Sequence, residues 1–221
     1  MKIGIIGGGS LGLLWAARLT QHTQVTLLCR TDRQAKKIQH DGIILTTLDG
    51  KEIKYRVSAE WMNRSNYSAD FDVLFLMVKQ PDLDSVLADL ATHVGKNIPI
   101  VAWQNGLGHL EKIRKYHFVN RYAVVSTEGA RKHSDNHVQH TGKGYALLGQ
   151  LNSVDNVVPP LMQFFTQVGI NLVENIEYEM WKKFSINCVI NGLTALLEIP
   201  NGQLMKLELN AIMEQIIDEI V

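Results

Sequence analysis

Met1-Lys2-Ile3-Gly4-Ile5-Ile6-Gly7-Gly8-Gly9-Ser10-Leu11-Gly12, continued by Leu13-Leu14-Trp15-Ala16-Ala17-Arg18-Leu19, decides the fold. The apolar run Lys2–Ile6 reads as a buried strand, the glycines as a turn, and the stretch from Ser10 as a helix. Gly7, Gly9 and Gly12 stand at G-x-G-x-x-G spacing, and each position has its own requirement. Gly7 lets the chain leave the strand in a tight turn. Gly9 lacks a Cβ, so a pyrophosphate can approach the backbone. Gly12 lets the helix pack closely on the strand. A helix starting there aims its first amides, those of Ser10 and Leu11 among them, and its positive dipole end at the phosphates. Glycine clusters also make ordinary loops, so the weight lies in the strand–turn–helix setting.

With 221 residues, 46% of them hydrophobic, the chain can bury a core in one large domain or in two smaller ones. Its 22 Lys and Arg balance 22 Asp and Glu, which gives no global field for nucleic acid or an anionic membrane. No apolar run approaches the about 20 residues that span a bilayer. The first core strand begins at the N-terminus and leaves no room for a signal peptide, so a cytoplasmic setting is expected. Cys29 and Cys188 lie far apart in apolar stretches and read as small hydrophobes. The histidines read as scattered, without an H-x-x-x-H or Cys/His cluster, and no metal site is expected.

Strands and helices alternate along the first two thirds. After Lys2–Ile6, strands are expected at Gln24–Cys29, Phe71–Val78, Ile98–Trp103 and Tyr122–Thr127. Thr31 or Asp32 can cap a helix towards His40, another helix holds Leu110 and Ile113, and a third spans Val157–Val168. Ile43–Thr47 and Ile53–Ser58 flank Asp49-Gly50 and read as a hairpin appended to the sheet, with a second hairpin from Val138–His140 and Gly144–Leu148. Continuous apolar strands separated by helices predict an α/β fold with a Rossmann-type, doubly wound parallel sheet. Near Asn175 the pattern turns wholly helical: Tyr178–Asn191, a turn at Pro200-Asn201-Gly202, then Gly202–Val221. The expected domains are a dinucleotide-binding domain over 1–174 and a helical substrate or dimerisation domain over 175–221, cut short at its end.

The end of the second strand is where such a fold chooses its cofactor. An acid there would bind the ribose hydroxyls of NAD, but this strand ends in Cys29-Arg30. Arg30 can meet a 2′-phosphate, while Asp32 is better placed to cap the next helix. NADP is therefore expected over NAD. Lys79 follows another strand at the ligand-binding end of the sheet, as does Asn105-Gly106, which taken bare reads equally as a turn.

In Trp181-Lys182-Lys183-Phe184-Ser185-Ile186-Asn187-Cys188-Val189-Ile190-Asn191, the residues Lys183, Asn187 and Asn191 recur at i, i+4 and i+8. They form one polar stripe, out of phase with Lys182. Two asparagines in an otherwise apolar helix need partners, either neighbouring loops or the carboxylate and hydroxyl of a small substrate. A lysine suits ketone reduction, because its ammonium can stabilise the developing oxyanion and donate the proton.

Taken together, the Gly7–Gly12 loop, Arg30, Val78-Lys79-Gln80, Gln104-Asn105-Gly106-Leu107-Gly108, the lysine–asparagine helix and Pro200-Asn201-Gly202 resemble ketopantoate reductase (2-dehydropantoate 2-reductase) nearly end to end. That family reduces a 2-oxo acid with NADPH in pantothenate biosynthesis. The resemblance implies that Gly7, Gly8, Gly9, Ser10, Leu11 and Gly12 hold the pyrophosphate and that Arg30 and Lys79 meet the 2′-phosphate end. It puts Asn105 between nicotinamide ribose and substrate and Ala130 at the cofactor through its backbone. Lys183 becomes the proton donor, and Asn187, Asn191 and Asn201 bind the hydroxy-keto acid. The expected partner is this small 2-oxo acid, with no nucleic acid and no membrane, and with a homodimer left open. Two departures stand out. Asn191-Gly192-Leu193-Thr194 replaces the family's Asn-Pro-Leu-Thr, and the family's helical domain continues past Val221 with a serine stretch and an acid that have no counterpart here. A reductase of another 2-oxo acid, or a non-catalytic NADP-binding relative, are the alternatives.

Overall fold

The computed structural model describes residues 1–62, 71–94, 97–151, 159–204 and 209–220. Residues 157–158 of one predicted helix, and 205–208 and 221 of another, lie outside the described residues. The chain divides into two compact units: Met1–Gln104 with Gly108–Ile176, and Asn105–Leu107 with the segment from Glu177 onward.

The first unit opens with β1 (Lys2–Ile6), α1 (Ser10–Leu19), β2 (Gln24–Cys29) and α2 (Asp32–Asp41), at the predicted places. Thr31 caps α2, its hydroxyl accepting from the Gln34 amide at 3.3 Å. There follow β3 (Ile43–Thr46), β4 (Glu52–Tyr55), β5 (Ser58–Trp61), β6 (Val73–Leu76), α3 (Gln80–His93), β7 (Ile100–Ala102), α4 (Gly108–Arg114) and β8 (Arg121–Ser126). The unit closes with β9 (Gly129–Lys132), β10 (His137–Gly142), β11 (Ala146–Gln150), α5 (Pro159–Gln167) and β12 (Ile170–Leu172), before α6 (Ile176–Leu197) begins.

Among the described residues the large sheet has eight strands in the order β12-β11-β8-β7-β6-β1-β2-β5. From β8 to β5 every pairing is parallel, while β11 runs antiparallel to β8 and carries β12 beside it. The chain winds outward from β1 through β2 to β5, then returns to β6 and winds the other way. The strand order therefore reverses between β1 and β6, and the crevice at their carboxyl ends is where such sheets bind ligands. Both strands are buried apolar runs, as a sheet covered on two faces demands.

A second sheet, β4-β3-β10-β9, corrects both predicted hairpins. β3 and β4 do pair antiparallel, but in this separate sheet; the predicted strand Ile53–Ser58 splits, and its end begins β5, which pairs with β2. Val138–His140 and Gly144–Leu148 are not a hairpin at all. β10 pairs with β9 and β3, whereas β11 joins the large sheet. α1 packs between β1 and β2 on one side and β3, β9 and β10 on the other. Seven of its ten residues are consequently buried. Trp15 meets Trp103 with ring centroids 4.8 Å apart, and Phe75 joins Trp103 at 5.4 Å and Phe165 at 5.7 Å in the same core.

In the second unit α6 is longer than the predicted Tyr178–Asn191 and ends at Leu197, followed by Glu198, whose φ of 53° is left-handed. α7 (Asn201–Leu204) replaces the expected turn, and α8 (Asn210–Ile220) follows. Val189, Leu193 and Leu204 form a small core against Ile199, Met213 and Ile216.

Candidate active site

In the first unit, the glycine loop leaves β1 at the reversal point. Gly7 has φ +119°, and a Cβ there would lie 2.7 Å from the Met77 carbonyl oxygen at the end of β6. A Cβ on Gly12 would lie 1.9 Å from the Gly7 carbonyl oxygen, so helix and loop are in closer contact than any side chain permits. Gly9 is different, because a Cβ there would meet nothing within 4 Å. It caps α1 with no side-chain hydrogen bond, and the first intrahelical bond, Leu13 N–H to Gly9 O at 3.0 Å, leaves the amides of Ser10, Leu11 and Gly12 without an i−4 partner.

Beside the loop lies a cleft of about 370 Å³, lined by Gly7, Gly8 and Gly9, the ends of β2 and β6, and the start of α3. Three cations line it, Arg30, Lys79 and Lys132, against one carboxylate, Asp82. Arg30 and Asp82 approach to 3.5 Å, but the Arg30 side chain is 80% exposed and can turn to a ligand. The buried Gln104 amide donates to the carbonyls of Leu76 at 2.8 Å and Val78 at 3.2 Å, which pins the exit of β7 to the segment leading into Lys79. The site fits a dinucleotide phosphate: a backbone cradle open where a Cβ would stand, a helix N-terminus, and excess positive charge.

Sequence reasoning missed two residues here. Gln34 lines the cleft and donates to the Gly8 carbonyl at 2.8 Å. Its spacing from Thr31 is that of a capping box, a signal legible in the sequence, although its side chain goes to the glycine loop. Lys132 also lines the cleft, from a strand that was not foreseen, whereas Ala130 packs against the core of this unit and is not among the lining residues. Burial pushes the Cys29 thiol up to about 12, an effect the Lys132 charge opposes, so the thiol stays protonated.

In the second unit, Lys183 donates to Asn105 Oδ1 at 2.7 Å. Desolvation holds the half-buried Lys183 ammonium below the ordinary lysine value. Lys182 is exposed, as the helical phase requires. Asn187 is half-buried one turn on, and Asn191 and Asn201 are exposed. Among the described residues these three amides make no side-chain hydrogen bond. Trp181 and Phe184 stack edge-on at 5.9 Å beside the lysine. The arrangement is a cation of lowered proton affinity held by an amide oxygen, with further amides along the same helix face.

His133 and His137 do stand at H-x-x-x-H spacing, which corrects the expectation that the histidines hold no such pair, and their ring centroids lie 5.2 Å apart. Among the described residues no group of three or more His, Cys, Asp or Glu could hold a metal ion, and no helix is long and apolar enough to cross a membrane.

Two family models match the chain: ketopantoate reductase PanE/ApbA over residues 3–153 and its C-terminal part over 175–221. The 2-dehydropantoate 2-reductase of Bacillus subtilis (strain 168) is 36% identical over 212 residues, covering 93% of this chain and 67% of that enzyme. The crystal structure of the probable 2-dehydropantoate 2-reductase panE from Bacillus subtilis superposes with a TM-score of 0.84 at 33% identity, over 99% of this chain and 74% of that one. A ternary structure of D-mandelate dehydrogenase with NADH and anilino(oxo)acetate shares the fold, with a TM-score of 0.82 at 22% identity, over 100% of this chain and 79% of that one.

Proposed function

Because the chain belongs to the ketopantoate reductase PanE/ApbA family, we propose that it reduces 2-dehydropantoate to pantoate with NADPH, in the cytoplasm. In this reading residues 1–174 hold the dinucleotide and residues 175–221 serve the substrate. The observation that carries it is the cleft beside Gly7–Gly9, where three cations face one carboxylate on a chain with no net charge.

When bound, NADPH supplies the hydride. The amides of Ser10 and Leu11 receive the pyrophosphate, with Gly9 giving it room and Gly7 and Gly12 holding loop and helix together. Arg30 and Lys79 neutralise the 2′-phosphate, and Ala130 contributes its backbone. Lys183 works on the substrate. As the carbonyl oxygen gains charge, its Nζ stabilises that charge and transfers a proton to it. Asn105 holds Lys183 in place until the substrate arrives. The lowered proton affinity of Lys183 makes the transfer easier than from an ordinary lysine. Asn187, Asn191 and Asn201 bind the carboxylate and hydroxyl of the acid.

Steady-state turnover of 2-dehydropantoate with NADPH, beside a panel of other 2-oxo acids, tests the assignment. Preferred turnover of a different acid would reassign the substrate, and cofactor binding without any turnover would leave only an NADP-binding protein.

A further inference from the structure

Lys132 reaches the glycine loop from the second sheet. Its ammonium donates to the Gly8 carbonyl at 2.9 Å, and the same oxygen accepts the Gln34 amide at 2.8 Å. Gln34 also donates to the Asp135 carbonyl at 2.8 Å, tying the β9–β10 connection to the first turn of α2. Asp135 carries two cations, Arg33 at 2.9 Å and Lys132 at 3.7 Å. One carboxylate shared between two cations leaves this corner positive. At 3.7 Å the Asp135 contact is an ion pair and not a hydrogen bond, so the ammonium keeps donor capacity beyond its bond to Gly8.

This corner is the end of β2. Lys132 lines the same cleft as Leu28 and Arg30, and its charge, with the opposing one of Asp135, is felt at the Cys29 thiol. A dinucleotide fold meets the adenosine ribose at that strand end. Arg30 leans towards α3, where Asp82 lies 3.5 Å away, while the Gly8 carbonyl and Asp135 hold Lys132 on the α2 side. We infer that Lys132 is a second cofactor-discriminating cation, which receives the 2′-phosphate of NADPH from the side opposite Arg30.

The inference rests on the NADPH reading above. Adenosine 2′,5′-bisphosphate and 5′-AMP differ by the 2′-phosphate alone and bind without turnover. Calorimetric titration of both into the whole chain, wild type, Lys132→Gln and Lys132→Arg, is the test, with melting curves to check the fold. Glutamine removes the charge and keeps an N–H donor, on a side chain one bond shorter, and 5′-AMP affinity registers any effect on the loop itself. Lys132→Gln is expected to lose about tenfold in affinity for the bisphosphate and less than about twofold for 5′-AMP, while Lys132→Arg stays within about threefold of wild type for both. Equal losses for the two probes would make Lys132 a loop-positioning residue and overturn the inference, as would an undiminished preference for the bisphosphate. A wild-type chain that does not prefer the bisphosphate defeats the NADPH reading itself, and the inference with it, before any substitution is compared.

Discussion

Gly9 and Gly12 belong to one motif, yet the structure predicts opposite failures when each becomes alanine. At Gly12 the new Cβ would stand 1.9 Å from the Gly7 carbonyl oxygen, about 1 Å inside the nearest approach real Cβ atoms make. The obstacle is backbone, so no side chain can swing away. Either α1 retreats from the loop or Gly7 abandons its turn. α1 buries seven of its ten residues between two sheets, so a retreat loosens packing on both sides. Overpacking costs typically 1–3 kcal/mol, and a backbone clash belongs at the upper end, about 3 kcal/mol. Against a total stability of roughly 5–15 kcal/mol that is a large fraction. At Gly9 the Cβ enters open space, and the backbone (φ −79°, ψ −172°) is extended conformation that alanine adopts freely. Gly9→Ala is therefore expected to fold with a stability within about 1 kcal/mol of wild type. It should nevertheless bind NADPH at least about tenfold more weakly, because the methyl group occupies the approach to the pyrophosphate. Urea denaturation and an NADPH fluorescence titration on the same preparations measure both quantities. A Gly12→Ala protein as stable as wild type would refute the close-contact argument. A Gly9→Ala protein with unchanged NADPH affinity would remove the pyrophosphate from this loop.

Arg30→Ala should cost about 1.5 kcal/mol in NADPH affinity, the low end for a charged contact given the exposure of its side chain, and leave NADH nearly unchanged; parallel titrations decide. Lys183→Ala should lower kcat by roughly 10²–10⁴-fold with little change in NADPH affinity, whereas Lys182→Ala should be nearly silent, and an exchange of the two phenotypes would show the helical phase to be wrong. Lys183 must be protonated to donate, so the reduction rate should fall on the alkaline side at a pH below the 10.5 of an ordinary lysine, and an alkaline limb absent below that value would contradict the role. Burial pushes His109 from 6.5 down to about 4, so the unfolded chain takes up a proton first and stability falls as pH drops through that window. Between about pH 7.5 and about pH 5 the loss should be about 2 kcal/mol by denaturant titration, and His109→Leu should flatten it.

The strand–loop–helix start and the parallel strands were legible because their information is local. A buried strand is a short apolar run, and a helix repeats on its own period. The second sheet was not legible, because its pairings are long-range. β9, Gly-Ala-Arg-Lys, has no apolar alternation and exists because it pairs with β10, Ala130 opposite His140. The Gly142-Lys143-Gly144 connection looked like a hairpin turn, but it carries the chain from one sheet to the other. A Cβ on Gly144 would lie 2.4 Å from the backbone carbon of Thr127, so the crossing is pressed against the turn out of β8. Ile53–Ser58 kept the alternation of a strand across Arg56-Val57, yet Ser58 leaves to pair with Thr26 of β2. Alternation reports a face and says nothing of the partner.

The same division runs through the candidate site. Lys183 and Asn187 could be read from helical phase alone, since i and i+4 share a face in any helix. The contact between Lys183 and Asn105 spans 78 positions, and no period encodes it. The charge of the cleft is more deeply hidden. Arg30 follows β2, Lys79 precedes α3, and Lys132 ends β9 of a different sheet. Each is unremarkable where it stands in a chain whose charges sum to zero. Only the reversal of strand order between β1 and β6, with the second sheet folded over α1, brings them to one crevice. A composition argument speaks only to a global field, whereas phosphate recognition acts over a few ångströms, where local charge decides. The cations of this cleft therefore follow from topology, and a strand missing from the topology, as β9 was, removes its cation from the cleft.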